Sequence, residues 1–237
     1  MSYDQGSRWV SRGAAATVGV DAGLRQYMLR VYNYMAAGLA LTGVVSYGAV
    51  ASGFYQSIAG TPLIWVVMLS PFAFVLALSF GINRMSLGAA QLTFWGFAAV
   101  MGLSLASIFL IYTHTSIARV FFITAGTFAG MSLYGYTTQR DLTAIGSFLI
   151  MGLWGIVIAS VINLFLASSA LYFAISVIGV LVFVGLTAYD TQRIKESYYE
   201  SDGDVVAGKK AIMGALALYL DFINLFLIML RFFGDRR

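Results

Sequence analysis

The chain contains no cysteine, one histidine and two prolines, and only 10% of its residues are charged. Each scarcity removes a class of function. Without cysteine there is neither a disulfide framework nor a thiolate metal site. The single histidine, His114 in the segment THTS, cannot supply the paired imidazoles of a zinc protease and reads as a solvated loop residue. No cluster of Lys and Arg interleaved with aromatic residues is present, so no nucleic-acid partner is expected. The sparse charge also argues against a soluble domain, where about a quarter of residues are charged.

Apolar residues take up the space. They make up 60% of the 237 positions, and the mean hydropathy is +0.85. A membrane crossing takes about 20 such residues, and seven stretches qualify: 29–51, 63–83, 90–112, 117–136, 143–166, 170–190 and 211–233. The expected fold class is an all-α integral membrane protein of seven transmembrane helices, with the lipid bilayer as its solvent. Residues 1–28 lack the compact apolar core and cleavage site of a signal peptide. Rich in Gly, Ser and Ala, they read as a flexible N-terminal arm before a single transmembrane domain over 29–237.

Short linkers predict antiparallel packing of successive helices. Gly60-Thr61-Pro62 breaks the chain before the second span. Pro71, inside that span, should kink the helix or leave a carbonyl without its donor. Gly126 and Gly130 have the four-residue spacing that permits close helix contact, or that chance supplies in a chain with 25 glycines.

Lys and Arg near the spans set the orientation. With the N-terminus inside, Arg8, Arg12, Arg25, Arg30, Arg84, Arg140, Arg193, Lys195, Lys209 and Lys210 lie on the inner side. Arg119, Arg231, Arg236 and Arg237 lie on the outer side, a count of ten against four. A re-entrant last segment would make it thirteen against one, but the apolar run there is long enough to cross. The expectation is therefore a cytoplasmic N-terminus and a C-terminus on the opposite side.

Charge inside the spans is rarer still, and more informative. Asp221 interrupts AIMGALALYLDFINLFLIML, with no basic residue within nine positions on either side. A carboxylate at bilayer depth costs roughly 2.5–3.5 kcal/mol on insertion scales and is a functional-site candidate by default. Asp190, at the end of the preceding run, is the partner that could reach it. The midpoint of 190 and 221 falls between Val205 and Val206, close to the polar turn SDGD at 201–204. An antiparallel hairpin turning there would bring the two level, with the sixth helix continuing through TQRIKESYYE and the seventh starting near Ala207. Two carboxyl groups in contact hold one proton and titrate as a coupled pair. The same residue types also fit a surface Asp190 and an Asp221 bonded to a neighbouring hydroxyl or to Asn224. Arg84, at the inner end of the second span, is a candidate latch for Asp190 or a snorkelling anchor. Tyr189, Tyr219 and Asn224 flank the aspartates as candidate hydrogen-bond partners.

These same residues carry a family resemblance. LTAYDTQRIK at 186–195 and GALALYLDFINLFLIMLRFFG at 214–234 resemble the motifs of the Bax inhibitor-1 (transmembrane Bax-inhibitor-motif) family. SIARVFFITAGTFAGMSLYGYTTQRDLTAIGSFLIMGLWGIVIAS resembles its bacterial branch, which implies a bacterial inner membrane. The resemblance implies two three-helix layers around a central C-terminal helix, and a pH-sensitive calcium leak with Asp190 and Asp221 as sensor. The family's basic latch maps onto Arg84 without a clear local motif, and an acidic residue found in some members' second helix has no counterpart. Carboxylate oxygens suit a hard cation, but two are too few for a tight site with 6–8 ligands, so calcium should bind weakly and pass. Bacterial relatives are linked to a membrane-anchored AAA-type protease, which makes a regulatory partner the alternative role.

No enzyme activity and no cofactor are expected. Intramembrane aspartyl proteases also pair two aspartates, but their Gly-any-Gly-Asp motif is replaced here by Leu218, Tyr219 and Leu220 before Asp221. Their Pro-Ala-Leu signature is missing too, since the two prolines are Pro62 and Pro71. A retinal-type Schiff base needs a lysine within a span, whereas Lys195, Lys209 and Lys210 fall between the sixth and seventh spans.

Overall fold

In hydrocarbon the backbone must satisfy its own hydrogen bonds, and continuous apolar runs therefore fold as helices. The computed structural model describes the backbone of residues 5–237 and the side chains of residues 22–237. The helices are α1 (Gln5–Ala51), α2 (Phe54–Ala59), α3 (Leu63–Gly81), α4 (Leu87–Ser104), α5 (Ile108–Ile111), α6 (His114–Thr137), α7 (Thr143–Leu166), α8 (Ser169–Glu196) and α9 (Asp204–Phe233). Seven helical segments are long and apolar enough to cross a membrane, with α4 and the short α5 together forming the third.

Helices α1, α3 and α4 pack as one layer and α6, α7 and α8 as the other. Between them runs α9, which touches α1, α4, α6 and α8. Leu218, Tyr219 and Leu225 of α9 are wholly buried, whereas α7 turns Phe148, Trp154 and Phe165 outward. A polypeptide stretch as apolar as α9 can occupy the centre because its neighbours supply the contact that lipid would otherwise give.

The proline in α3 leaves no carbonyl stranded. Pro71 has no N–H for the carbonyl of Val67, and Ser70 Oγ donates to that oxygen at 2.8 Å, joined by Ser104 Oγ at 3.3 Å. Ser86, Thr113 and Ser168 cap α4, α6 and α8 by accepting from Ala89, Ser116 and Leu171 N–H groups. His114 opens α6, exposed, with its ring against Tyr47 and Phe109. At the far end the C-terminal residues clasp the α5–α6 turn. Thr113 N–H donates to Asp235 O at 3.1 Å, Arg237 N–H to Ile111 O at 2.9 Å, and Arg119 pairs with Asp235 at 3.0 Å.

Two expectations are corrected. The arm does not extend to residue 28: Tyr27 and Met28 are buried, and the Tyr27 hydroxyl bonds Ser197 Oγ at 3.1 Å. Leu24, Tyr27, Met28, Val31 and Met35 share one helical face against the core. That face runs on past Arg25 and Arg30, whose charge masks it in a hydropathy window. The part of the expected arm before residue 22 lies outside the described side chains.

The second correction concerns the glycines. Gly126 and Gly130 face open space, and no neighbour stands where their Cβ atoms would be. Close approach occurs at Gly135, whose Cβ would overlap the Ala188 carbonyl, and at Gly146, whose Cβ would overlap the Tyr189 ring. We expect Gly135→Ala to destabilise by about 1–3 kcal/mol, the usual cost of overpacking. Gly126→Ala should be neutral or stabilising, since alanine is the better helix former. Thermal unfolding of the two variants in detergent compares them directly.

Candidate functional site

The hairpin of α8 and α9 brings the two aspartates together. Ser197 O accepts from Lys210 Nζ at 2.9 Å, and Ile194 packs on Gly214. The same antiparallel climb sets Asp190 beside Asp221, their carboxyl groups within hydrogen-bond reach. Helix α8 ends at Glu196 and α9 starts at Asp204, both earlier than expected, yet the register falls close to the expected midpoint. Residues 197–203 fold back along the first turns of α9, where Lys210 pairs with Asp202 at 2.6 Å.

Burial of the two groups is unequal. Asp221 is 5% exposed and its Oδ2 has no hydrogen-bond partner among the described residues. Asp190 is half-buried and lines a cavity of about 530 Å³ at the N-terminal side of the bundle, together with Asn83, Arg193, Lys209 and Lys210. Asp221 does not line it. Beyond Asp221, Phe222, Leu225, Phe226, Met229 and Leu230 are all buried. Inward from the cavity the order is thus Asp190, then Asp221, then these apolar side chains. Carboxylates only accept hydrogen bonds, so a bond between the pair exists only while one of them carries a proton.

The flanking candidates are placed elsewhere. The Tyr219 hydroxyl bonds Thr42 Oγ1 at 2.6 Å, and Thr42 in turn donates to Ala98 O at 2.8 Å, which makes Tyr219 the donor. Two residues from Asp221, it points at the α1–α4 layer. Asn224 Nδ2 donates to Leu220 O within its own helix at 2.8 Å. The Tyr189 ring packs on Gly146. Among the described residues, none of the three bonds a carboxyl of the pair. Arg84 stands exposed on the α3–α4 turn, whose Ile82 and Asn83 line the cavity. Among the described residues it forms no ion pair.

Arg193 lines the same cavity as Asp190, one helical turn further along α8. Its signal was present as the i, i+3 spacing in DTQR, which puts both on one helix face. Gln192 was also missed. It accepts from Leu142 N–H at 2.8 Å and donates to Arg140 O at 2.8 Å, tying the α6–α7 turn to α8. Nothing in the local sequence marks that role.

Comparison with known proteins agrees over nearly the whole chain. The family model described as "Inhibitor of apoptosis-promoting Bax1" matches residues 24–237. An uncharacterized protein of Rickettsia prowazekii is 52% identical over 218 residues, 92% of each chain. The inner membrane protein YbhL of Escherichia coli is 47% identical over 91% of this chain and 94% of its own. An uncharacterized membrane protein of Streptococcus pyogenes is 36% identical over 90% of this chain and 94% of its own.

Tyr219 and Asp221 sit two residues apart and do different work. Tyr219→Phe removes one buried donor and should lower stability by about 1 kcal/mol, read as a lower unfolding temperature. Asp221→Leu removes both the unpartnered Oδ2, whose burial is a cost, and the contact with Asp190, worth about 1 kcal/mol, so it should change the unfolding temperature less than Tyr219→Phe does. A loss for Asp221→Leu as large as that of Tyr219→Phe would show that the contact with Asp190 outweighs the unpaired oxygen.

Proposed function

The chain belongs to the Bax inhibitor-1 family of membrane proteins, and from that premise we propose that it is a pH-sensitive calcium leak gated by the contact between Asp190 and Asp221. One observation carries the reading: the carboxyl pair stands between an aqueous-sized cavity and an apolar plug on the central helix.

The mechanism follows from what the pair can do. With a proton between them, the two groups hold α8 against α9. Without it, two like charges face each other where the surroundings screen them poorly, and the contact becomes repulsive. Arg193 is placed to receive the freed Asp190 carboxylate, and Arg84 remains a second candidate from the α3–α4 turn. A calcium ion entering the cavity meets carboxylate oxygen first at Asp190. Among the described residues no third acidic or imidazole side chain joins the pair, so binding is weak and the ion is not retained.

The alternative role, a regulatory partner of a membrane-anchored protease, draws on the N-terminal arm, most of which lies outside the described side chains. Deleting residues 2–20 separates the roles: leak kept with protease regulation lost supports the partner.

Purified protein in dye-loaded liposomes tests the leak. Calcium flux should exceed that of empty liposomes and vary between pH 5 and 8. Asp190→Asn and Asp221→Asn should each flatten that variation, because an amide cannot ionise and leaves one carboxyl without its like-charged neighbour. Arg193→Gln should raise basal flux more than Arg84→Ala does. The loop carboxylate of Asp141 does not confuse the profile. Hydrogen bonds from the Thr143 side chain and backbone hold it below its ordinary value, so it stays ionised throughout. Flux equal to empty liposomes at every pH, or an unchanged profile in both Asn variants, would refute the proposal.

A further inference from the structure

Between α1 and α6, on the seam where the two layers meet, lies an open trough of about 840 Å³. Its floor includes Phe222 of α9, and its walls are apolar, with Ala36 and Ala40 alongside Leu29 and Leu39 on one side and Ala125 and Ala129 beside Phe128 on the other. The stretch of α1 that lines it, from Arg25 to Gly43, rises about 27 Å. That is most of the roughly 30 Å hydrocarbon thickness. Facing outward from a membrane-spanning bundle, the trough opens onto lipid.

Its chemistry selects among occupants. Along the walls the polar groups are engaged with one another. Thr191 gives its hydroxyl proton to Thr187 O at 2.7 Å, and so accepts from Ser132 at 2.9 Å. Ser132 then accepts from Tyr32 at 2.6 Å, which leaves the trough without a free hydroxyl donor from this chain of groups. At the N-terminal-side end the character changes. Arg25 lines the trough there and is exposed. Lys195 lies 5.4 Å from the ring centre of Tyr136, another lining residue, and donates to its carbonyl at 2.9 Å. An apolar slot with a basic mouth at one membrane face matches an acyl chain under an anionic headgroup.

We propose that the α1–α6 trough is a binding site for an anionic phospholipid of the N-terminal-side leaflet, its acyl chain along the apolar walls of α1 and α6 and its phosphate at Arg25. A second copy of the chain is disfavoured by that basic mouth, which would face its own image. The proposal is independent of calcium conduction.

Native mass spectrometry of the detergent-purified protein, incubated with phosphatidylglycerol or phosphatidylcholine, tests it. Wild type should retain phosphatidylglycerol about fivefold better, the effect of one basic residue at an anionic surface. Arg25→Gln, at an exposed position, should remove that preference. Ala129→Trp, which fills the trough from an exposed position, should lower retention of both lipids. Lys195→Gln gives a second reading of the basic mouth and should narrow the preference. Equal retention of the two lipids by wild type would overturn the proposal, as would a preference unchanged by Arg25→Gln or a retention unchanged by Ala129→Trp. The absence of native cysteine makes a further check clean. Efficient disulfide cross-linking between two Ala36→Cys chains in liposomes would assign the trough to a second copy instead.

Discussion

A carboxyl group placed in hydrocarbon has to find its partner within the protein, because neither water nor lipid can supply one. Asp221 meets that demand with a second carboxyl group. The choice binds the rest of the architecture. The partner lies on the preceding helix, so α8 and α9 must pair antiparallel in one register, and a slip of a single turn would leave both groups unpaired. The central position of α9 follows as well. Only a helix enclosed by α1, α4, α6 and α8 keeps such a pair away from lipid.

What fixes α8 on its other side is close contact at two glycines. The Ala188 backbone presses on Gly135 and the Tyr189 ring on Gly146. Thr191 bonds Ser132, and Gln192 bonds the α6–α7 turn. Residues 188, 189, 191 and 192 are thus each fixed to α6 or α7 or to the turn between them, and Asp190 alone among these five points at α9. Its position is set by neighbours that cannot easily shift, which is what the proposed switch requires if protonation is to move helices and not merely a side chain.

The seven spans, the antiparallel hairpin and the aspartate pair were legible because each rests on a pattern that local sequence carries: apolar length, a polar turn, and charge where charge is expensive. The flanking residues were not. Tyr189 and Tyr219 lie one and two positions from an aspartate, and at about 100° per residue they face other neighbours, while Asn224, nearly a turn on from Asp221, bonds back to Leu220 O in its own helix. Which hydroxyl Tyr219 would find depended on Thr42, 177 positions away. The glycines show the same limit. Gly126 and Gly130 have the right spacing and the wrong face, while Gly135 and Gly146 have no motif and make the contacts. Arg193 is visible in the helical spacing of DTQR, whereas Arg84 stands apart as the one charged residue between Arg30 and Arg119. Isolation in sequence says nothing about which charge is near in space.

The layers themselves are joined differently from the helices within them. Inside the α6–α8 layer, glycine meets backbone and ring, contacts that resist any opening. Across the seam, α1 reaches α6 and the end of α8 through two hydroxyl links, Tyr32 to Ser132 and Tyr27 to Ser197. Each such bond is worth about 1 kcal/mol net. The central α9 bonds α1 through Tyr219 and Thr42 and meets α8 through the aspartates. The carboxyl pair adds to an α8–α9 contact that apolar packing already makes. A proton shared there would be a link of the same size as the hydroxyl bonds across the seam. In the proposed mechanism its loss therefore acts as one link among several, and the change from bond to repulsion is what would let it bias the packing of α9 between the layers.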